Sequence, residues 1–261
     1  MLTSVDGHAY TDFLNDYSAG LLGHSDPAIQ QVLRDTISKG LSFGGQNRHE
    51  KDLAAKIVQR FGEAGIELVR FTNSGTEANT MAIASATLVT GRSKILVFTG
   101  GNHGGTMAFP RTNGQANVQP AKIMTANLPH EWVLAPFNNV EESEKIINGL
   151  PPKSLAAILV ETLQGAGGCR PATREFLAFL RRVADSRGSI LIVDEVMTSR
   201  LGYAGHIASM GLTADIVTMG KYMGGGMSFG VFGGRRDIMQ IFDPLSGGVK
   251  HAGTFNNNVL T

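Results

Sequence analysis

Three short stretches hold residues whose types and positions could do chemistry. In "ADIVTMGKYMGGGMSFG", residues 214–230, Lys221 ends an apolar run and the glycines Gly224, Gly225 and Gly226 follow. A lysine there either runs out into water, as most lysines do, or is held in a cleft where its amine can bond a carbonyl as a Schiff-base nucleophile. In "SILIVDEV", Asp194 and Glu195 stand at the mouth of a second apolar run. A carboxylate in that place is costly unless a cation or an N–H group meets it, so Asp194 is either half of an internal ion pair or a charge kept for a ligand. In "NSGTEAN", Ser74, Gly75 and Thr76 lie between a strand-like run and a helical one. The amides that open a helix attract a phosphate, and Ser74 and Thr76 equally suit ordinary helix capping.

The elements between these stretches must position them. "LVRFT", "KILVFTG", "LAAILVE", "SILIVDEV", "ADIVTM" and "FGVFGG" read as short strands, with helices at "TEANTMAIASATLVTG" and "TREFLAFLRRVADSRG". Short strands apolar on both faces, alternating with helices, predict an α/β fold with a mostly parallel sheet covered on both sides. Ligands of such sheets sit beyond the carboxyl ends of the strands, where Ser74, Asp194 and Lys221 all fall. Upstream, Asp26-Pro27 reads as a helix start that brings Ile29, Val32, Leu33 and Ile37 onto one face until Gly40 stops it. "HEKDLAAKIVQRFG" repeats that pattern with Leu53, Ala54, Ile57, Val58 and Phe61. A polar, glycine-rich stretch follows "KILVFTG" to about Pro120.

Composition narrows the partners. With 23 Lys+Arg against 22 Asp+Glu the net charge is +1, and the absence of a long basic block argues against nucleic acid. No run of about 18 apolar residues predicts a membrane span, and "MLTSVDGHAY" lacks the basic-then-apolar pattern of a leader. The one cysteine, Cys169, can form no internal disulfide, which fits a reducing compartment and a cytoplasmic protein; a buried or incidental thiol is the expectation. "HEKDL" and "HEWVL" lack the second histidine of a zinc helix, so no metal is expected. Glycine is in excess, 33 of 261 residues against an average of about 7%, and it clusters in short loops where backbone must approach a ligand or another chain.

An anion cradle, a carboxylate and a nucleophilic lysine at the strand ends of one sheet are the set that pyridoxal 5'-phosphate requires. The chain resembles the class III pyridoxal-phosphate-dependent aminotransferases of fold type I, and in detail the glutamate-1-semialdehyde aminomutase branch. The resemblance runs from "VDGHAYTDFLNDYSAGLLGHSDPAI" through "NSGTEAN", "AAILVETLQGAGG", "ILIVDEVMTSR" and "VTMGKYMGGGMSFGVFGGRRDIM" to "HAGTFNNNVLT". It implies Lys221 as the Schiff-base lysine and proton shuttle, Asp194 opposite the pyridine nitrogen, and Val196 on the ring face. It also implies Ser74, Gly75 and Thr76 on the phosphate, with Asn102, His103 and Glu161 around the cofactor. Thr254 would reach the phosphate of a neighbouring subunit, making a homodimer. The implied activity moves an amino group between an amino donor and an oxo-acid or aldehyde acceptor. An aminomutase, to whose pocket loop "LSFGGQN" is similar, a racemase, and a truncated non-catalytic relative are the alternatives.

Two departures accompany the resemblance. Asn102 stands where the family usually has a stacking tyrosine or phenylalanine, and Thr162 replaces the proline that usually follows Glu161. The expected organisation is an N-terminal segment over 1–49, a cofactor-binding large domain over 50–261, and no C-terminal small domain. Without that domain, an apolar face of the large domain is expected to lie uncovered.

Overall fold

The computed structural model describes residues 1–109, 130–246, 248–256 and 258–261. At its centre is a seven-stranded sheet. Its strands, in chain order, are β1 (Leu68–Thr72), β2 (Lys94–Phe98), β3 (Glu131–Ala135), β4 (Leu155–Glu161), β5 (Ile190–Asp194), β6 (Ile216–Gly220) and β7 (Gly230–Gly234). Across the sheet the order is β1-β7-β6-β5-β4-β2-β3. The pairs from β6 to β3 are parallel, whereas β7 runs antiparallel to both β6 and β1. The carboxyl ends of the other six strands therefore share one edge of the sheet, and β7 begins there.

Apart from the consecutive Ala156 and Ala157 of β4, which share one side, strand residues alternate between two cores. Leu96, Ile158, Val160, Leu191, Val193, Val217 and Met219 join the core on one face. Their neighbours Ile95, Val97, Leu159, Ile192 and Ile216 join the core on the other. This period of two, apolar on both faces, is what drives a strand into the middle of a three-layer fold. The helices α2 (Arg48–Phe61), α4 (Val140–Asn148) and α5 (Arg174–Arg187) cover the first face. There Phe98 and Phe176 meet edge to face with ring centroids 5.1 Å apart. Helix α3 (Gly75–Thr90) covers the second face through Ala78, Ala82, Ile83 and Ala86. Its small side chains let it lie close to β6 and β7.

Three differences from expectation stand out. Strand β3 and helix α4 are additional to the elements read from the sequence. The helix opening at Asp26, α1 (Pro27–Ile37), has the expected cap, with Ala28 N–H and Ile29 N–H donating to Asp26, but it ends at Ile37. It buries none of its residues: Val32 is 62% and Ile37 55% exposed. The large uncovered apolar side chains concentrate here and elsewhere in residues 1–49, as at Val5, Phe13, Tyr17 and Phe43, with Tyr203, Leu245 and Phe255 outside it. The expected segment boundary at 49/50 falls inside α2. Cys169, expected as a buried or incidental thiol, is exposed and sits in the left-handed region at φ 53°. The glycine-rich stretch beyond Phe109 lies outside the described residues. Among the described residues, no helix is long and apolar enough to cross a membrane.

Candidate active site

The site assembles at the common edge where β1, β4, β5 and β6 end. After β1, Ser74 caps α3 by accepting from Glu77 N–H at 3.1 Å, and the Glu77 carboxylate reaches back to Asn73 N–H at 2.8 Å. This reciprocal box satisfies the outer donors of the helix start. The Gly75 and Thr76 amides, first in the helix, have no intrahelical acceptor and remain available to an anion.

Glycines bring this turn against its surroundings. A Cβ on Gly75 would stand 2.7 Å from Val196 Cγ2, and one on Gly104 would collide with Thr76. A Cβ on Gly220 would stand 3.4 Å from the Gly75 amide nitrogen. The strand end that carries Lys221 thus touches the anion turn directly. Lys221 itself adopts φ 51°, an uncommon left-handed conformation for a residue with a side chain. Its half-buried side chain lines a cavity of about 570 Å³ together with Asn73, Ser74, Gly75 and Tyr222, walled on the far side by residues 16–33.

Asp194, at the end of β5, is buried and held on three sides. Its Oδ2 accepts from Asn79 Nδ2 at 2.8 Å and lies 2.8 Å from His103 Nδ1, and its Oδ1 accepts from Val196 N–H at 3.0 Å. Thr218 in turn donates to Asn79 Oδ1 at 2.6 Å, fixing the amide. The N–H-bearing partners required of a buried carboxylate are therefore present, and His103 is the one among them that can take up a proton. Burial alone would depress the His103 pKa, yet the hydrogen bond and charge of Asp194, with the Glu161 charge behind, raise it overall. Glu161, at the end of β4, accepts from Asn102 N–H at 3.0 Å. Its pKa is raised, chiefly by burial and secondarily by Asp194, against the opposing charge of His103.

Ser74, Gly75, Thr76, Val196, Asp194, His103, Glu161, Asn102 and Lys221 are therefore gathered around one edge. Asn102 is exposed and its Oδ1 accepts from Gly104 N–H at 3.0 Å. Thr162 is fully buried, its hydroxyl 3.0 Å from that of Thr198, so the replacement of proline is accommodated by a satisfied hydrogen bond. Thr254 stands apart: it is exposed and borders a separate cavity with Gly44, Arg70 and Asn256. Asn79, Thr218 and Glu77 escaped the reading of the sequence. A polar residue inside an otherwise apolar element, as at Asn79 in α3 and Thr218 in β6, was the signal available for two of them.

The fold and this cluster define a class, and comparison with known proteins agrees. The family described as Aminotransferase class-III matches residues 1–261, and the chain belongs to it. The beta-phenylalanine transaminase of Variovorax paradoxus is 45% identical over 260 residues, covering 100% of this chain and 57% of that protein. The crystal structure of a beta-phenylalanine aminotransferase from that organism superposes with TM-score 0.90 at 44% identity, over 99% of this chain and 57% of the other. The glutamate-1-semialdehyde 2,1-aminomutase of Ignicoccus hospitalis is 39% identical over 265 residues, 100% of this chain and 62% of its own length. A transaminase solved with PLP bound has TM-score 0.87 at 34% identity, over 99% of this chain and 61% of its own. The chain thus spans about three fifths of the length of the relatives it matches.

Proposed function

We propose that this chain carries the cofactor site of a pyridoxal-phosphate-dependent aminotransferase, which moves an amino group between an amino donor and an oxo-acid or aldehyde acceptor. The carrying observation is the contact between the Lys221 strand end and the Ser74–Thr76 turn, with buried Asp194 beside them on β5. The residues present fit the group. The free amides of Gly75 and Thr76 suit its phosphate, Val196 offers an apolar face, and Asp194 is oriented by Asn79, His103 and Val196 N–H. Glu161 and His103 complete the buried polar wall, and Asn102 lies at its rim.

Pyridoxal phosphate, when bound, supplies an aldehyde that bonds amines and a ring that accepts an electron pair. The protein's residues do the rest. Lys221 Nζ would hold the cofactor at its aldehyde carbon, with water leaving as the bond forms, and would take and return the proton at the amine-bearing carbon of the substrate. Asp194 would keep a proton on the ring nitrogen, because a fixed carboxylate in a buried site favours positive charge beside it. The cavity walled by residues 16–33 receives the substrate. The exposed Thr254 reaches the phosphate of a second copy in a homodimer. A cytoplasmic location accords with a single, exposed cysteine. Similarity to an aminomutase keeps intramolecular transfer as the second reading, and release of an oxo co-product from an amino donor separates the two.

Borohydride reduction of the protein loaded with pyridoxal phosphate tests the assignment. Peptide mapping is expected to find the label on Lys221 alone; a label on Lys94 or Lys122 with Lys221 free overturns it.

A further inference from the structure

The anion turn is braced from outside by a residue that touches none of the reacting groups. Asn73, immediately before Ser74, donates from Nδ2 to Asn256 Oδ1 at 2.8 Å and to Glu77 Oε2 at 3.1 Å. Glu77 is exposed, where water competes for its hydrogen bonds, whereas Asn256 is half-buried. Asn256 is itself well held. Its N–H donates to Gly253 O at 3.1 Å, and its side-chain amide lies against Gly253, where a Cβ would meet its Oδ1 at 2.5 Å. The same segment is fastened to β1 by Arg70, whose Nε donates to His251 Nδ1 at 3.1 Å and whose second guanidinium nitrogen reaches His251 O at 3.4 Å. β1 and residues 251–256 thus grip the turn between them.

We infer that Asn256 is a positioning residue for the phosphate turn: by fixing Asn73 it sets the direction in which the Gly75 and Thr76 amides point. The inference rests on the reading of Ser74–Thr76 as the phosphate site. It also gives residues 251–256 a second duty. The segment that presents Thr254 outward also steadies the protomer's own turn, so a displacement of one is felt at the other.

The test is titration of the protein with pyridoxal 5'-phosphate and with pyridoxal, which lacks the phosphate, followed by absorbance. Asn256→Ala is expected to weaken binding of the phosphorylated form about three- to tenfold, the worth of one hydrogen bond, and to leave pyridoxal unchanged. Asn73→Ala, which also loses the bond to Glu77, should weaken that binding at least as much, and the double variant should lose no more than Asn73→Ala alone, because the bond that Asn256→Ala removes is already gone. Equal losses for the two ligands, or losses that add in the double variant, overturn the inference. Ser74→Ala serves as the control on the underlying reading. If it is selective for the phosphorylated ligand and Asn256→Ala is not, only the role of Asn256 fails; if neither is selective, the phosphate site itself is misplaced. Melting of the cofactor-free variants supplies the structural baseline, and a large drop for Asn256→Ala with no selectivity counts against positioning.

Discussion

His103 Nδ1 and Asp194 Oδ2 lie 2.8 Å apart with their side chains only 1% and 6% exposed. Because the folded-state pKa of His103 is raised, the folded protein keeps a proton that the unfolded chain releases near pH 6.5. The stability from this proton is fully present below that pH and is lost as pH rises through the folded value. In Asp194→Asn the imidazole is expected to titrate at lower pH, as followed by NMR, and amino transfer to fall by several powers of ten. A His103 titration unmoved by the substitution would place the cause of the shift elsewhere.

Glu195 is a second buried carboxyl, next to the first. It accepts from His206 N–H at 3.1 Å and Ile207 N–H at 2.5 Å, yet burial outweighs these bonds and pushes its pKa up to about 7. The stability linked to its proton is present below about pH 4.5 and is lost as pH rises through about 7. A shift of this size corresponds to about 3 kcal/mol. Melting of the cofactor-free protein between pH 5 and pH 8 is therefore expected to show a smaller fall for Glu195→Gln than for the wild type. Parallel curves would show that Glu195 does not titrate in this range.

The contact between Gly75 and Val196 can be probed by adding one methyl group. Gly75→Ala would force a Cβ to 2.7 Å from Val196 Cγ2, an overpacking that costs about 1–3 kcal/mol. Because the strain falls on the turn and on the apolar face together, cofactor affinity should drop. Val196→Ala in the same chain should recover part of it. Spectral titration of the single and double variants checks this, and absence of recovery would mean that the two residues do not meet.

Asn102→Tyr should add an aromatic face at the rim of the site. Stacking of this kind is worth about 0.5–1.5 kcal/mol beyond area burial, which is a few-fold to about tenfold tighter cofactor binding. Among the described residues the Asn102 side chain accepts from Gly104 N–H, and its loss leaves a loop amide that water can serve. Equal affinities and spectra for the two proteins would show that the position does not meet the ring.

Most of the sheet was legible because β4, β5 and β6 are buried on both faces, and a short apolar run between turn residues can hardly be anything else. β3 was missed: "EWVLA" opens on a charged, exposed Glu131 and lies beside a His-Glu pair that drew attention to metal chemistry. The reversal of β7 left no local mark, since strand direction is set by partners distant in the chain and not by periodicity. α1 shows the opposite failure. Its apolar spacing was read correctly as a helix, but burial depends on what lies opposite, and among the described residues little does. Around the site, Lys221, Asp194 and Ser74 announced themselves by standing at strand ends. The partners of Asp194, at positions 79 and 103, come from other elements, and no spacing rule joins them.

The antiparallel β7 also fixes when the site can come into being. β1, which leads into the phosphate turn, lies at the sheet edge with β7 as its neighbour, Leu68 opposite Gly234 and Thr72 opposite Gly230. The turn is therefore synthesised early and supported late. Pairing of such distant segments is slow, because a long loop must close before any contact repays it. A nascent chain that ends before residue 230 holds the turn and Lys221 but lacks the strand between them. Cofactor capture during synthesis should thus report the arrival of β7.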